Sequence, residues 1–172
     1  MKQRDLTLNK SRAAPGVALL FLLTVVALIP ALGAAVQPAH AEVGMRRETL
    51  TVQTQAGPTV VNIEVAETSE EKARGLMFRA KVPDGTGMLF PYGTPQEITM
   101  WMKNTYASLD MVFIRGNGII HRIETNTEPM SERVIASEGP VTAVLELAAG
   151  AAAKLGIKPG DRVQHKAFSA AP

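Results

Sequence analysis

From residue 49 onward, apolar and polar positions mostly alternate with a period of two, the signature of half-buried strands. Thr49-Leu50-Thr51-Val52-Gln53 and Val60-Val61-Asn62-Ile63-Glu64-Val65 flank Ala56-Gly57-Pro58, which reads as a β-hairpin. Similar runs recur at residues 88–90, 98–102, 109–114, 119–123 and 141–147, mostly punctuated by Gly, Pro, Asn and Asp. That spacing predicts a mainly β fold, an antiparallel sandwich or barrel of jelly-roll type, in preference to a parallel sheet alternating with helices. Two short helices interrupt it. Thr68 precedes Glu71 by three residues, a capping box, and Ala73, Leu76 and Met77 share the face that follows, although Gly75 weakens the helix. Residues 149–155 form the second helix, with Gly156 as a left-handed stop and Ile157 packing behind it. Lys158-Pro159-Gly160-Asp161 fits a type II turn before a last strand at 162–166, and residues 124–140 read as the longest irregular stretch.

The first 41 residues follow another rule. Lys2, Arg4, Lys10 and Arg12 precede an apolar tract at 17–29 and a small-residue end, Ala39-His40-Ala41, the order of a secretory signal peptide. As a helix the tract would extend about 20 Å, short of the roughly 30 Å hydrocarbon core of a bilayer. Cleavage after Ala41 is expected, with an uncleaved membrane anchor as the alternative; both place the domain outside the cytoplasm, periplasmic or secreted. The organisation that follows is a signal peptide at 1–41, a flexible leader at 42–48, one β-rich domain at 49–168 and a disordered tail at 169–172.

Removing that segment changes the charge. The whole chain has 18 Lys and Arg against 16 Asp and Glu, but the first 41 residues hold four of the bases and one acid, leaving 14 against 15. The basic character of the full chain therefore gives no support to nucleic-acid binding. The absence of cysteine excludes disulfides, thiolate metal sites and cysteine nucleophiles.

Six blocks resemble one family: Arg74-Gly75-Leu76-Met77-Phe78-Arg79; Gly87-Met88-Leu89-Phe90; Trp101-Met102-Lys103-Asn104-Thr105; Leu109-Asp110; Val144-Leu145-Glu146-Leu147 with Gly150; and Gly156-Ile157-Lys158-Pro159-Gly160-Asp161. In this order they resemble the domain of unknown function 192 family from about Thr49 to Val163. The resemblance implies a compact β-rich domain, often exported. It supplies no activity and no catalytic residue. The loop before Val141 is less typical of the family.

Alternation puts Asp110 on the strand face of Val112 and Ile114, and Glu146 on the face of Val144 and Thr142. A carboxylate in such company needs a partner, and Arg74, Arg79 and Lys103 are the cations expected to pair with both. The pairs serve either as scaffold or as a polar pocket whose cations receive an anionic ligand group. Trp101 is more commonly a core residue, but beside Lys103 and Asn104 it could also wall a site. The first reading is thus a non-enzymatic module that binds a small polar or anionic molecule, or a periplasmic protein, through Arg74, Arg79, Trp101, Lys103 and Asn104. The second is an acid/base hydrolase or lyase with Asp110 and Glu146 as its catalytic pair. The third is a copper(I)-handling protein using methionines, against which flexible core filling is the commoner role. No cofactor and no zinc site is expected, because no two histidines lie at ligand spacing.

Overall fold

The structure, a computed structural model, describes residues 44–168. Strands β1 (Arg46–Thr54) and β2 (Gly57–Val65) form the expected hairpin, with Thr54 opposite Gly57. The Thr54 hydroxyl donates to the Gly57 carbonyl at 2.7 Å and accepts the Ala56 N–H at 3.2 Å, which closes the turn. The strand starts earlier than the sequence pattern suggests: residues 46–48, assigned to a flexible leader, pair with β2, and Arg46 holds Glu67 at 2.6 Å. The positions read as signal peptide and as disordered tail lie outside the described residues.

Helix α1 (Ser69–Arg74) carries the capping box: Thr68 Oγ1 accepts the Glu71 N–H at 3.1 Å, and Glu71 Oε2 accepts the Thr68 N–H at 2.8 Å. Gly75, at φ 47°, ends the helix and lets the chain drop onto the sheet, where a Cβ would stand 3.1 Å from the Phe90 ring. Beyond it, β3 (Thr86–Met100) pairs with β2 in parallel, Asn62 opposite Thr86. This corrects the expectation of a purely antiparallel sheet. A parallel pair requires a long crossover, and the connection through α1 between Val65 and Thr86 supplies one.

The chain continues through β4 (Leu109–Ile114), β5 (Ile120–Glu124), β6 (Ile135–Ala148), α2 (Ala151–Lys154), β7 (Arg162–Gln164) and a 3-10 turn at Lys166–Phe168. All seven strands belong to one sheet, in the order β5-β4-β6-β3-β2-β1-β7, instead of the two facing sheets of a sandwich. The sheet curls until its ends touch. Ile119 bridges Arg162, the Val163 N–H donates to the Gly118 carbonyl at 2.8 Å, and the Ile120 N–H donates to Asp161 at 2.9 Å.

The run at 88–90 and the start of that at 98–102 fall within one 15-residue strand, and residues 135–140 of the stretch read as irregular at 124–140 belong to the 14-residue β6. Bulges explain both differences. Their pairing shifts register between Pro91 and Gln96 and again between Glu97 and Thr99. Gly93, Glu138 and Gly139 adopt positive φ there, so the alternation is lost while the ladder persists.

Curling gives the sheet two buried faces. One packs Leu50, Val61, Val112, Leu145 and Leu147 with Ala151 and Ala152 of α2. The other packs Met88, Phe90, Met111, Phe113 and Val144 under Leu76 and Met102. Strand β4 is consequently buried at all six positions.

Candidate functional site

Asp110 and Glu146 sit on neighbouring strands, one register step apart: Asp110 faces Leu147, and Met111 faces Glu146. Side chains at paired positions share a face and successive ones alternate, so the two carboxyl groups project from opposite sides of the sheet. Of the cations expected to pair with them, Arg79 binds Glu64 and Lys103 binds Glu132, and the two acids sit in different surroundings.

Asp110 is fully buried, and both its oxygens accept backbone N–H groups, Asn126 on Oδ1 and Ala152 on Oδ2, each at 3.0 Å. The second bond caps α2, whose own N-cap residue, Gly150, has no side chain to do so. A carboxylate satisfied by main-chain dipoles needs no cation. The sequence carried a signal for this: a helix starting at Gly150-Ala151-Ala152 has no internal acceptor, so a buried acid elsewhere becomes the candidate cap.

Glu146 is 4% exposed, and burial pushes its carboxyl up to about 8. A cation held against it would act in the opposite direction. The neutral acid lies at the bottom of a cleft of about 410 Å³. One wall is the end of α1 and the chain after it, Lys72 to Met77; the other comes from Phe90, Tyr92, Thr99 and Met100 of β3 with the buried Thr105, and Trp101 and Val134 stand exposed at the mouth. Burial also pushes the Tyr92 phenol up, and Glu146 adds to the effect. The Tyr92 hydroxyl points at the Met100 sulfur, 3.6 Å away, and the Lys72 ammonium lies 5.5 Å from the centre of its ring.

The rim is apolar and strained. Six large apolar side chains are exposed among the described residues; two of them, Trp101 and Val134, line the cleft, and Phe78, Tyr106 and Met130 belong to the neighbouring chain segments. Trp101 and Val134 line the mouth; Phe78 stacks edge-on against Tyr106 with ring centres 6.2 Å apart; Met130 is tied to Thr105 through its N–H at 3.1 Å. Trp101 is thus half exposed, a wall residue and not a core one. Phe78, Asn104 and Met130 hold positive φ of 64°, 55° and 61°, conformations that cost about 1–3 kcal/mol each and persist where surrounding bonds impose them. The Phe78 N–H donates to the Asn104 carbonyl at 2.8 Å, which locks two of the three together.

Of the residues singled out from sequence, the cleft brings together Arg74, Trp101 and Glu146, with Asn104 and Lys103 beside it. The Lys103 ammonium stacks 5.4 Å from the Trp101 ring centre and pairs with Glu132 at 3.2 Å. Arg79 is elsewhere: it forks onto Glu64 at 3.2 and 2.5 Å, in a separate groove where Arg47 also approaches Glu64. Sequence reading missed Lys72, Tyr92 and Met100 as cleft residues. Helix periodicity pointed to Lys72, four residues before Leu76, whereas the β3 bulge hid Tyr92. The described methionines divide among core (Met88, Met102, Met111, with Met45 packed against it), cleft wall (Met77, Met100) and surface (Met130). His121 and His165 are engaged elsewhere, by Arg115 and Glu48. No cluster of three His, Asp or Glu side chains suited to a metal occurs among the described residues.

The family model described as "DUF192: Uncharacterized ACR" matches residues 50–165, and the chain belongs to that family. Two solved structures are similar. One, from Sinorhizobium meliloti 1021 and described as a candidate transcription regulator, is 40% identical over 73% of this chain and 98% of its own, with a TM-score of 0.71. The other, a protein of unknown function from Novosphingobium aromaticivorans DSM 12444, is 40% identical over 73% of this chain and 90% of its own, with a TM-score of 0.69. No curated protein matches.

Proposed function

We propose that the protein is a non-enzymatic binding module that holds a small ligand, through a polar or anionic group, in the cleft above Glu146. The observation that carries this reading is the buried Glu146 carboxyl lining an open cleft with aromatic walls, where burial favours its protonated form. Apolar lining with one convergent polar group is the usual composition of a ligand site, and a strongly perturbed acid inside it strengthens the case. A paired-carboxylate enzyme is disfavoured because Asp110 is committed to backbone N–H groups on the other face. A role in reading DNA, suggested by the description of one relative, finds little support in a helix inventory whose longest described member has six residues.

Thermal-shift screening of the full chain against small carboxylates, phosphates, sugars and amines tests the reading. A ligand at a hundred times its dissociation constant adds about 2.7 kcal/mol of stability, a shift that Trp101→Ala should diminish. A panel without any hit would count against it.

Export is part of the same proposal. The basic, apolar and small-residue order of residues 1–41 supports a periplasmic or secreted location. Mass spectrometry of the protein purified from its own cells should find Glu42 as the N-terminus; an intact Met1 in the cytosolic fraction would refute it.

A further inference from the structure

The charges around the cleft narrow the ligand. Helix α1 contributes Lys72 and Arg74 to the lining, and β3 contributes the Tyr92 phenol. On the same face β4 presents Leu109, Met111 and Phe113, none of which titrates. Beyond the mouth, Lys103 lies against Trp101. Glu146 is the one acid in the lining. Lys103 is paired with Glu132, so the positive charge offered to a ligand is that of Lys72, whose ammonium donates to the Glu67 carbonyl at 2.7 Å and lies over Tyr92, while Leu76, Phe90, Met77 and Met100 keep the walls apolar. A purely hydrophilic anion would leave those walls without contact, and a neutral apolar molecule would leave the positive field unused.

We propose that the cleft takes an anion with an apolar body, with the Glu146 side chain serving as a hydrogen-bond donor to the ligand and not as a charge. This rests on the ligand-binding reading above and specifies its chemistry. A carboxyl O–H donating to an anionic oxygen forms a charge-assisted bond, short and strong in a dry site. Ionised Glu146 would instead oppose the ligand with a like charge. Binding therefore follows the protonated fraction of Glu146, which has its midpoint near 8. Lys72 supplies positive potential at the wall, and the exposed apolar rim of Trp101 and Val134 receives the far end of the ligand body.

The test uses the full chain and three probes: octanoate, acetate as the same anion without the body, and octanol as the same body without the charge. Trp101, the single tryptophan, reports binding through its emission. Octanoate should give a saturable shift, acetate none at equal concentration, and octanol at least about tenfold weaker binding, roughly the weight of one charge-assisted contact. Between pH 6.5 and 9.5 the octanoate dissociation constant should rise about 30-fold, in step with the loss of the competent form. Glu146→Gln should make that dependence flat. Lys72→Met should weaken octanoate and leave octanol unaffected, which preserves the test if the first variant folds poorly. Octanol binding as well as octanoate would overturn the anion assignment and leave the ligand-binding reading standing. Octanoate binding that is flat with pH in the unmodified chain would overturn the role of Glu146. No shift with any probe, together with an empty thermal panel, would end both.

Discussion

Asp110 and Glu146 occupy adjacent strands of one sheet and point away from each other, one bonded to two backbone amides and the other at the base of a cleft. Their substitutions should therefore have separable effects. Asp110→Asn presents an amide NH2 to a backbone N–H and leaves a buried donor unpaired, a loss of about 1–3 kcal/mol. Chemical denaturation should show it, with ligand binding to the cleft retained. Unchanged stability would mean that the cap on α2 carries no weight.

Glu146 makes the protein less stable as pH rises. Its folded-state value, raised to about 8 from 4.5, means that the native state holds a proton the unfolded chain has released. The penalty is absent below the unfolded value, grows between pH 4.5 and 8, and is complete above that, on the order of 4 to 5 kcal/mol. Denaturation at pH 5, 7 and 9 should show this decline, and Glu146→Gln should remove most of it. A parallel decline in the variant would assign the effect to other groups.

Two surface carboxylates act at the other end of the scale. The Lys166 ammonium, 2.6 Å away, followed by His165 at 2.8 Å, holds the Glu48 carboxyl below its ordinary value; Arg133 and then Arg122 do the same for Glu124. Stability from a depressed carboxylate is present above the unfolded value and is lost as pH falls through the folded one. Combined with Glu146, this predicts a stability maximum near pH 4.5 to 5. Glu48→Gln should blunt the acid limb and loosen the 3-10 turn at Lys166–Phe168, which hydrogen exchange of those amides would report. An acid limb identical in the variant would contradict the assignment.

Gly87 brings β3 close against β6. A Cβ there would lie 2.5 Å from the Glu146 carbonyl oxygen and 2.8 Å from Leu147 Cδ2. Gly87→Ala should force the strands apart beneath the cleft at a cost of about 1–3 kcal/mol or more. Thermal unfolding measures it, and a wild-type melting temperature would show that the two strands yield easily.

Local features were legible in the sequence, and long-range ones were not. The β1–β2 hairpin, the Thr68–Glu71 capping box and the left-handed Gly156, at φ 69°, depend on neighbours within a few residues. The strand faces of Asp110 and Glu146 were readable too, because β4 and the end of β6 keep strict alternation. What faces those acids was hidden, since it arrives from distant segments: Asn126 and Ala152 lie 16 and 42 residues from Asp110. A rule that assigns cations to buried carboxylates overlooked the main chain as a donor. The bulged β3 was obscured because its register shifts interrupt the alternation on which strand recognition relies, and the parallel β2–β3 pair because strand direction is set by the long crossover through α1.

The account depends most on the charge of one side chain. Carbon-13 NMR of glutamate side-chain carboxyl signals, with Glu146 assigned by its Gln substitution, follows that charge directly through a pH titration. A midpoint near 8 is the predicted result. A midpoint near 4.5, the ordinary glutamate value, would mean that Glu146 is ionised at neutral pH with its charge paired or hydrated, and the cleft would lose its donor.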